Sequence, residues 1–316
     1  LKTENFQTDL GRDHLRKIYL KRTFDLKKKI IEKHYKKKII SKSKPINYVS
    51  SDTFFLANKH KTKTKKEILN EIGINLKEYK ISKIVLIASH CFSDAPHMSG
   101  YHIFRDYYNH VEETLKFINT TKSVQKILWI LKEHPATFFY REEEIFKTLA
   151  KKYLSKNIVI CPKNINTHDL IKVCDNVITT KGTIALEFAA EGKAAVLAGA
   201  SPFSHLGFTL DPRSKFQYFN YLRNIKKLKK LNSNQIFNAK KAMIILDLAL
   251  HKYRLKKSKI ANSKKIVEKY QKGLLLGKFV NNQKKFINDV MNNFNKMNLL
   301  EDNFYKSLKN FFKKEF

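Results

Sequence analysis

The chain has 316 residues, 42% hydrophobic and 29% charged, with 9 glycines and 6 prolines. That excludes a disulfide miniprotein, a collagen-like chain and wholesale disorder, and leaves apolar material for one large domain or two ordinary ones. Of a net charge of +35, residues 83–215 carry only +4, so the lysines concentrate in the flanks and read as solvated surface rather than a nucleic-acid interface.

The first flank, 1–82, is basic and mainly helical in pattern, with helical spacing at 11–42 and 64–80 broken by Lys runs. The run 83–89 (KIVLIAS) is continuous, apolar and rich in β-branched residues, as in a strand buried on both faces. Apolar residues at 104, 107, 108, 111, 115 and 118 then follow helical spacing. Further strands are predicted at 126–131, 157–161, 176–179 and 194–198, with helices at 142–153, 167–173 and 183–190 between them. Alternation of this kind implies right-handed crossovers and a parallel sheet. The expected fold is α/β: a Rossmann-like domain over 83–215 with helical flanks on both sides. The second flank, 216–316, has helical patterns at 217–231, 233–253, 256–272 and 280–312.

Cys91, Cys161 and Cys174 form no CxxC pair, and their odd number argues against a disulfide framework. A reducing, cytoplasmic setting follows. No apolar run reaches the ~18 residues of a spanning helix. The start, Leu1-Lys2-Thr3-Glu4, has neither Met nor a signal-peptide pattern and reads as that of a fragment.

Chemistry is expected where the strands end. After 176–179 come Thr179, Thr180, Gly182 and Thr183, and a helix begins at once. Hydroxyls, open amides and a helix start suit a phosphate, and Glu187, one turn on, suits ribose hydroxyls. The same spacing also fits a plain strand–turn–helix junction with Thr183 as cap. His134-Pro135 ends the second strand on the same sheet edge, where open α/β sheets bind ligands. The first strand delivers Ser89 to His97 there, with Asp94 and His97 as candidates for acid/base or nucleophilic chemistry. Asp94 as the cap of a following turn or helix fits equally. The spacing gives no zinc pattern, so no metal is expected. Ser201 and His205, after the fifth strand, could close a loop over a ligand.

Taken together, ASHCFSDAPH (88–97), FRDYYNHVEETL (104–115), KEHP (132–135), TTKGTIALEFAAEGKAAVLAG (179–199) and SPFSHLGFT (201–209) resemble the capsule polysaccharide biosynthesis proteins. That family includes bacterial transferases of 3-deoxy-manno-octulosonic acid (Kdo), glycosyltransferases of the two-Rossmann-domain (GT-B) type. The resemblance covers about 130 of 316 residues and implies the C-terminal, donor-binding domain. It implies a CMP-sugar donor with no other cofactor and a glycan or glycolipid acceptor; with a lipid acceptor, the flanking lysines suit peripheral contact with anionic headgroups at the inner face of the cytoplasmic membrane. By it, His134, Pro135, Thr179, Thr180, Gly182 and Thr183 hold the nucleotide phosphate, Glu187 the ribose, and Asp94 is the catalytic carboxylate. The chain departs from the pattern in residues 1–82, which are too short and too helical for a full N-terminal Rossmann domain. A sugar-nucleotide epimerase is the enzymatic alternative. A nucleic-acid or anionic-surface binder using the flanking lysines is the non-enzymatic one.

Overall fold

A computed structural model describes residues 31–33, 35, 63–74, 81–94, 101–165 and 167–243, all within the compact unit Leu1–His251. The helices expected at 256–272 and 280–312 lie outside the described residues, as does most of 11–42.

A five-stranded parallel sheet forms the centre, built from β1 (Lys83–Ala88), β2 (Ile127–Lys132), β3 (Ile158–Ile160), β4 (Asn176–Thr179) and β5 (Ala195–Leu197). Its order is β3-β2-β1-β4-β5. The fold is α/β and Rossmann-like. The helices are α1 (Lys65–Glu71), α2 (Tyr107–Thr120), α3 (Glu143–Tyr153), α4 (Thr167–Val173), α5 (Ile184–Ala190) and α6 (Lys215–Arg223). A further helical stretch covers 233–243.

Side chains alternate between the two faces of each strand. Val85 and Ile87 of β1, with Trp129 and Leu131 of β2, share one buried core with Val111, Leu115 and Ile118 of α2. Phe146 and Leu149 of α3 and Tyr218 and Leu222 of α6 complete that face. The alternate residues Ile84, Leu86, Leu128 and Ile130 are also buried, while α5 packs on β4 and β5, and α4 on α1 and α5. Both faces are therefore covered, which is why the strands read as unbroken apolar runs rather than alternating ones.

Local chemistry sets the helix ends. Asp106 caps α2 through the Asn109 amide at 2.7 Å, and Thr64 with Glu67 forms a reciprocal capping box on α1. The helix expected over 217–231 stops at Arg223. Asn224 turns its side-chain amide onto the Asn220 carbonyl at 3.0 Å, and the chain tightens into a short 3-10 turn, Ile225–Lys227. That turn drops Ile225 into the core, and Lys83 Nζ binds the carbonyls of Ile225 and Leu228 at 2.8 and 2.9 Å.

Candidate functional site

In a parallel sheet every strand delivers its following loop to one edge. The order reverses between β1 and β4, so their crossovers leave to opposite sides; the crevice expected at the carboxyl ends of such a reversal is where open α/β sheets bind ligands. The loops beside it are 89–94 and 180–183.

His90 bridges these loops. Its Nε2 accepts the Lys181 backbone N–H at 3.2 Å. Its ring stacks on Tyr107 of α2 with centroids 4.7 Å apart, and lies nearly parallel to the His134 ring at 6.0 Å. Lys181 Nζ stands 5.9 Å from the centre of the Tyr107 ring, adding a cation to the crevice. Ser201 Oγ donates to the Lys181 carbonyl at 2.8 Å, so the loop after β5 braces the turn after β4. The Ser201 N–H is held by Ser204 Oγ at 2.8 Å.

The register of β1 on β2 pairs Ala88 with Lys132, so the loops that follow run side by side. Cys91 Sγ there meets His134 Nδ1 at 3.1 Å, and the same nitrogen accepts the Ala136 N–H at 3.2 Å. Pro135 is exposed at the start of the turn, and Thr137 closes it onto the His134 carbonyl from both its amide and its hydroxyl. Glu142, at the start of α3, is buried. Its carboxylate receives the Phe92 and Ser93 amides at 2.6 and 2.7 Å and also the Ser93 hydroxyl. This fixes the loop that carries Asp94. Asp94 is exposed, and Tyr140 donates its hydroxyl to Oδ1 at 2.7 Å.

The turn after β4 is tight. A Cβ on Gly182 would stand 2.9 Å from Thr179 Oγ1, so the close approach requires glycine. Thr183 is exposed, has helical backbone angles, and makes no side-chain cap bond to α5. Thr180 faces inward instead. Its hydroxyl lies 2.9 Å from His110 Nδ1, and His110 Nε2 is 3.0 Å from the Tyr218 hydroxyl. That hydroxyl lies 2.8 Å from Thr114 Oγ1, which donates to the His110 carbonyl at 2.6 Å. Thr114 spends its proton on the carbonyl, so Tyr218 donates to Thr114. A neutral His110 then donates from Nε2 to Tyr218 and accepts at Nδ1 from Thr180. The Thr180 proton is thereby committed to His110, and this hydroxyl offers a ligand only lone pairs.

No protein-family model matches the chain, and no curated protein matches it. Among solved structures, it is similar to KpsC of Thermosulfurimonas dismutans, a beta Kdo 2,4 transferase, at 15% identity and a TM-score of 0.32. The match covers 62% of this chain and 57% of that one, so it spans little more than half of the neighbour's length.

The imidazoles of the crevice are neutral. Burial, aided by neighbouring His134, His110 and Lys181, lowers the pKa of His90 to about 3. Burial likewise lowers His110 to about 3. His134 is lowered by burial against the opposing charges of Asp94 and Glu142. Burial lifts the Cys91 thiol to about 12, and the bond to Asp94 lifts Tyr140 to about 12. Among the described residues no three His, Cys, Asp or Glu side chains are grouped to hold a metal ion. No described helix is long and apolar enough to cross a membrane.

The structure thus brings Asp94, His134, Thr183 and Ser201 to one sheet edge. His97 lies outside the described residues. Glu187 is on α5, where its charge helps to raise the pKa of Tyr35 from the first flank. His205 follows β5 with a left-handed φ of 63°, its N–H bonded to Asp211 at 2.9 Å. It stacks on Tyr101 at 6.3 Å. Spacing gives no sign of His110, Lys181 or Glu142. His90 and Lys181 stand inside the motifs quoted above, and only the strand order reveals that they meet. Glu142 is the first of three successive glutamates and looks like any acidic helix start.

Proposed function

We propose that this chain is the donor-binding part of a glycosyltransferase of surface polysaccharide synthesis. It takes an acidic sugar, Kdo, from a CMP-activated donor and passes it to a glycan or glycolipid acceptor. One observation carries the reading: the β1–β4 reversal is rimmed by hydrogen-bond donors and a cation beside one carboxylate, Asp94, that is exposed among the described residues. Neutral His134, Lys181 and the exposed Thr183 hydroxyl suit the phosphate of a nucleotide. As the bond between sugar and phosphate breaks, these groups stabilise the charge left on the departing CMP. Asp94, whose Oδ1 is held by Tyr140, receives the proton of the acceptor hydroxyl on Oδ2. The Thr180 hydroxyl gives the phosphate no proton in this reading, because it donates to His110. The lysine-rich flanks are the proposed contact with anionic headgroups at the inner face of the cytoplasmic membrane, where a lipid-linked acceptor would be met.

Titration calorimetry of the full chain against CMP, UDP, GDP and ADP tests the donor. CMP should bind selectively, and Thr183→Val should weaken it by about 1–3 kcal/mol through a lost hydrogen bond to charge. Equal affinity for all four nucleotides, or for wild type and variant, would remove the assignment.

A further inference from the structure

His134 occupies a defined bonding position. Nδ1 accepts the backbone N–H of Ala136 at 3.2 Å and lies 3.1 Å from Cys91 Sγ. An amide N–H can only donate, so Nδ1 is the bare nitrogen of the ring, and the thiol is the donor in the second contact. The raised thiol pKa and lowered imidazole pKa agree with a neutral pair rather than thiolate and imidazolium. A neutral imidazole has one ring proton, which here must sit on Nε2. That atom bonds to no other described residue and is not sealed from solvent.

We propose that Cys91 is a positioning residue: with the Ala136 amide it locks His134 as the Nε2–H tautomer, so that the crevice meets an anionic oxygen with a neutral N–H donor. The use of that donor rests on the phosphate reading above; the tautomer itself exists without ligand. The lock is a product of the fold. Pairing of Ala88 with Lys132 sets the two loops side by side, and Glu142 holds the Cys91 loop through Phe92 and Ser93. In a ring free to exchange tautomers, only the Nε2–H fraction can donate outward, and the apparent Kd rises as that fraction falls.

Long-range proton–nitrogen correlation spectra of the full chain, labelled with 15N at histidine and free of ligand, read the tautomer directly. The His134 signals are assigned by their loss in His134→Gln. Wild type should show a bare Nδ1 and a protonated Nε2. Cys91→Ser supplies a hydroxyl donor and should keep that pattern. Cys91→Ala and Cys91→Val should each move part of the proton to Nδ1, and equal populations would raise the Kd for CMP about twofold. A protonated Nδ1 in wild type overturns the proposal without recourse to the Cys91 variants. Spectra of both donorless variants identical to wild type overturn it as well. If the spectra follow expectation while CMP binds no better than UDP or ADP, the lock stands and the CMP reading falls.

Discussion

The ring of His90 and the backbone of Lys181 are joined across the point where the strand order reverses, Nε2 accepting the amide at 3.2 Å. The bond ties the end of β1 to the turn after β4, the two sides of the crevice. Replacing the ring with a methyl group leaves that amide without its partner. His90→Ala should therefore cost about 1–3 kcal/mol of stability, read as a lower urea midpoint at unchanged slope. A midpoint equal to wild type would mean that the bond contributes nothing.

Stability should fall with acid in a defined window. His110 is 1% exposed, and its folded pKa of about 3 lies below the ordinary 6.5. Above pH 6.5 both folded and unfolded chains keep it neutral, so its contribution is complete. Below that pH the unfolded chain takes up the proton and the folded chain does not. Each pH unit then costs about 1.4 kcal/mol, until the folded ring also protonates near pH 3. His90 acts in the same direction. Urea unfolding at pH 7, 6 and 5 should show the decline, with a shallower slope in His110→Gln. An identical slope in that variant would assign the protonation to other groups.

The turn after β4 gives a steric test. A Cβ at position 182 would press on Thr179 Oγ1 at 2.9 Å and on Ile184 Cγ2 at 3.3 Å. Gly182→Ala should lose about 1–3 kcal/mol through overpacking. Adding Thr179→Ala removes the obstructing hydroxyl and should recover part of the loss, a non-additive pair in a thermodynamic cycle. Strict additivity would show that the two side chains do not meet.

Much of this architecture is legible along the chain, and the reason is local. β1 and β2 are buried on both faces, so burial alone makes them apolar runs bounded by turn residues. The order of the strands is another matter. It depends on which runs pair, as Val85 with Asn176 across 91 positions, and no local pattern encodes that choice. The site divides in the same way. The placing of Asp94, His134 and Thr183 at the sheet edge is readable because each lies in the loop after a strand or at a helix start. The bonds that hold them, Glu142 to Ser93 and Thr180 to His110, join residues 49 and 70 positions apart. The inward turn of Thr180 was invisible for that reason: its partner lies on α2, on the far side of a crossover.

Catalysis, in the proposed reading, is separable from binding at Asp94. Asp94→Asn keeps the size of the side chain and its bond from Tyr140 but removes the base. Transfer of sugar from CMP-Kdo should drop by at least ~100-fold while CMP affinity stays nearly constant, as for an interaction made chiefly in the transition state. Steady-state rates beside calorimetry check both halves. Full activity in the Asn variant would move the base elsewhere.

The turn 180–183 is gripped from three directions: by His90 on the Lys181 amide, by Ser201 on the Lys181 carbonyl, and by His110 on Thr180. Each anchor belongs to a different part of the chain, so the turn has its shape before any ligand arrives. The entropy of ordering it, about 0.5–1.5 kcal/mol for each side chain fixed, is settled when the protein folds and not when it binds. In the proposed reading, an incoming anion meets a finished seat, and its capture is timed by collision and orientation, without waiting for this turn to find its form.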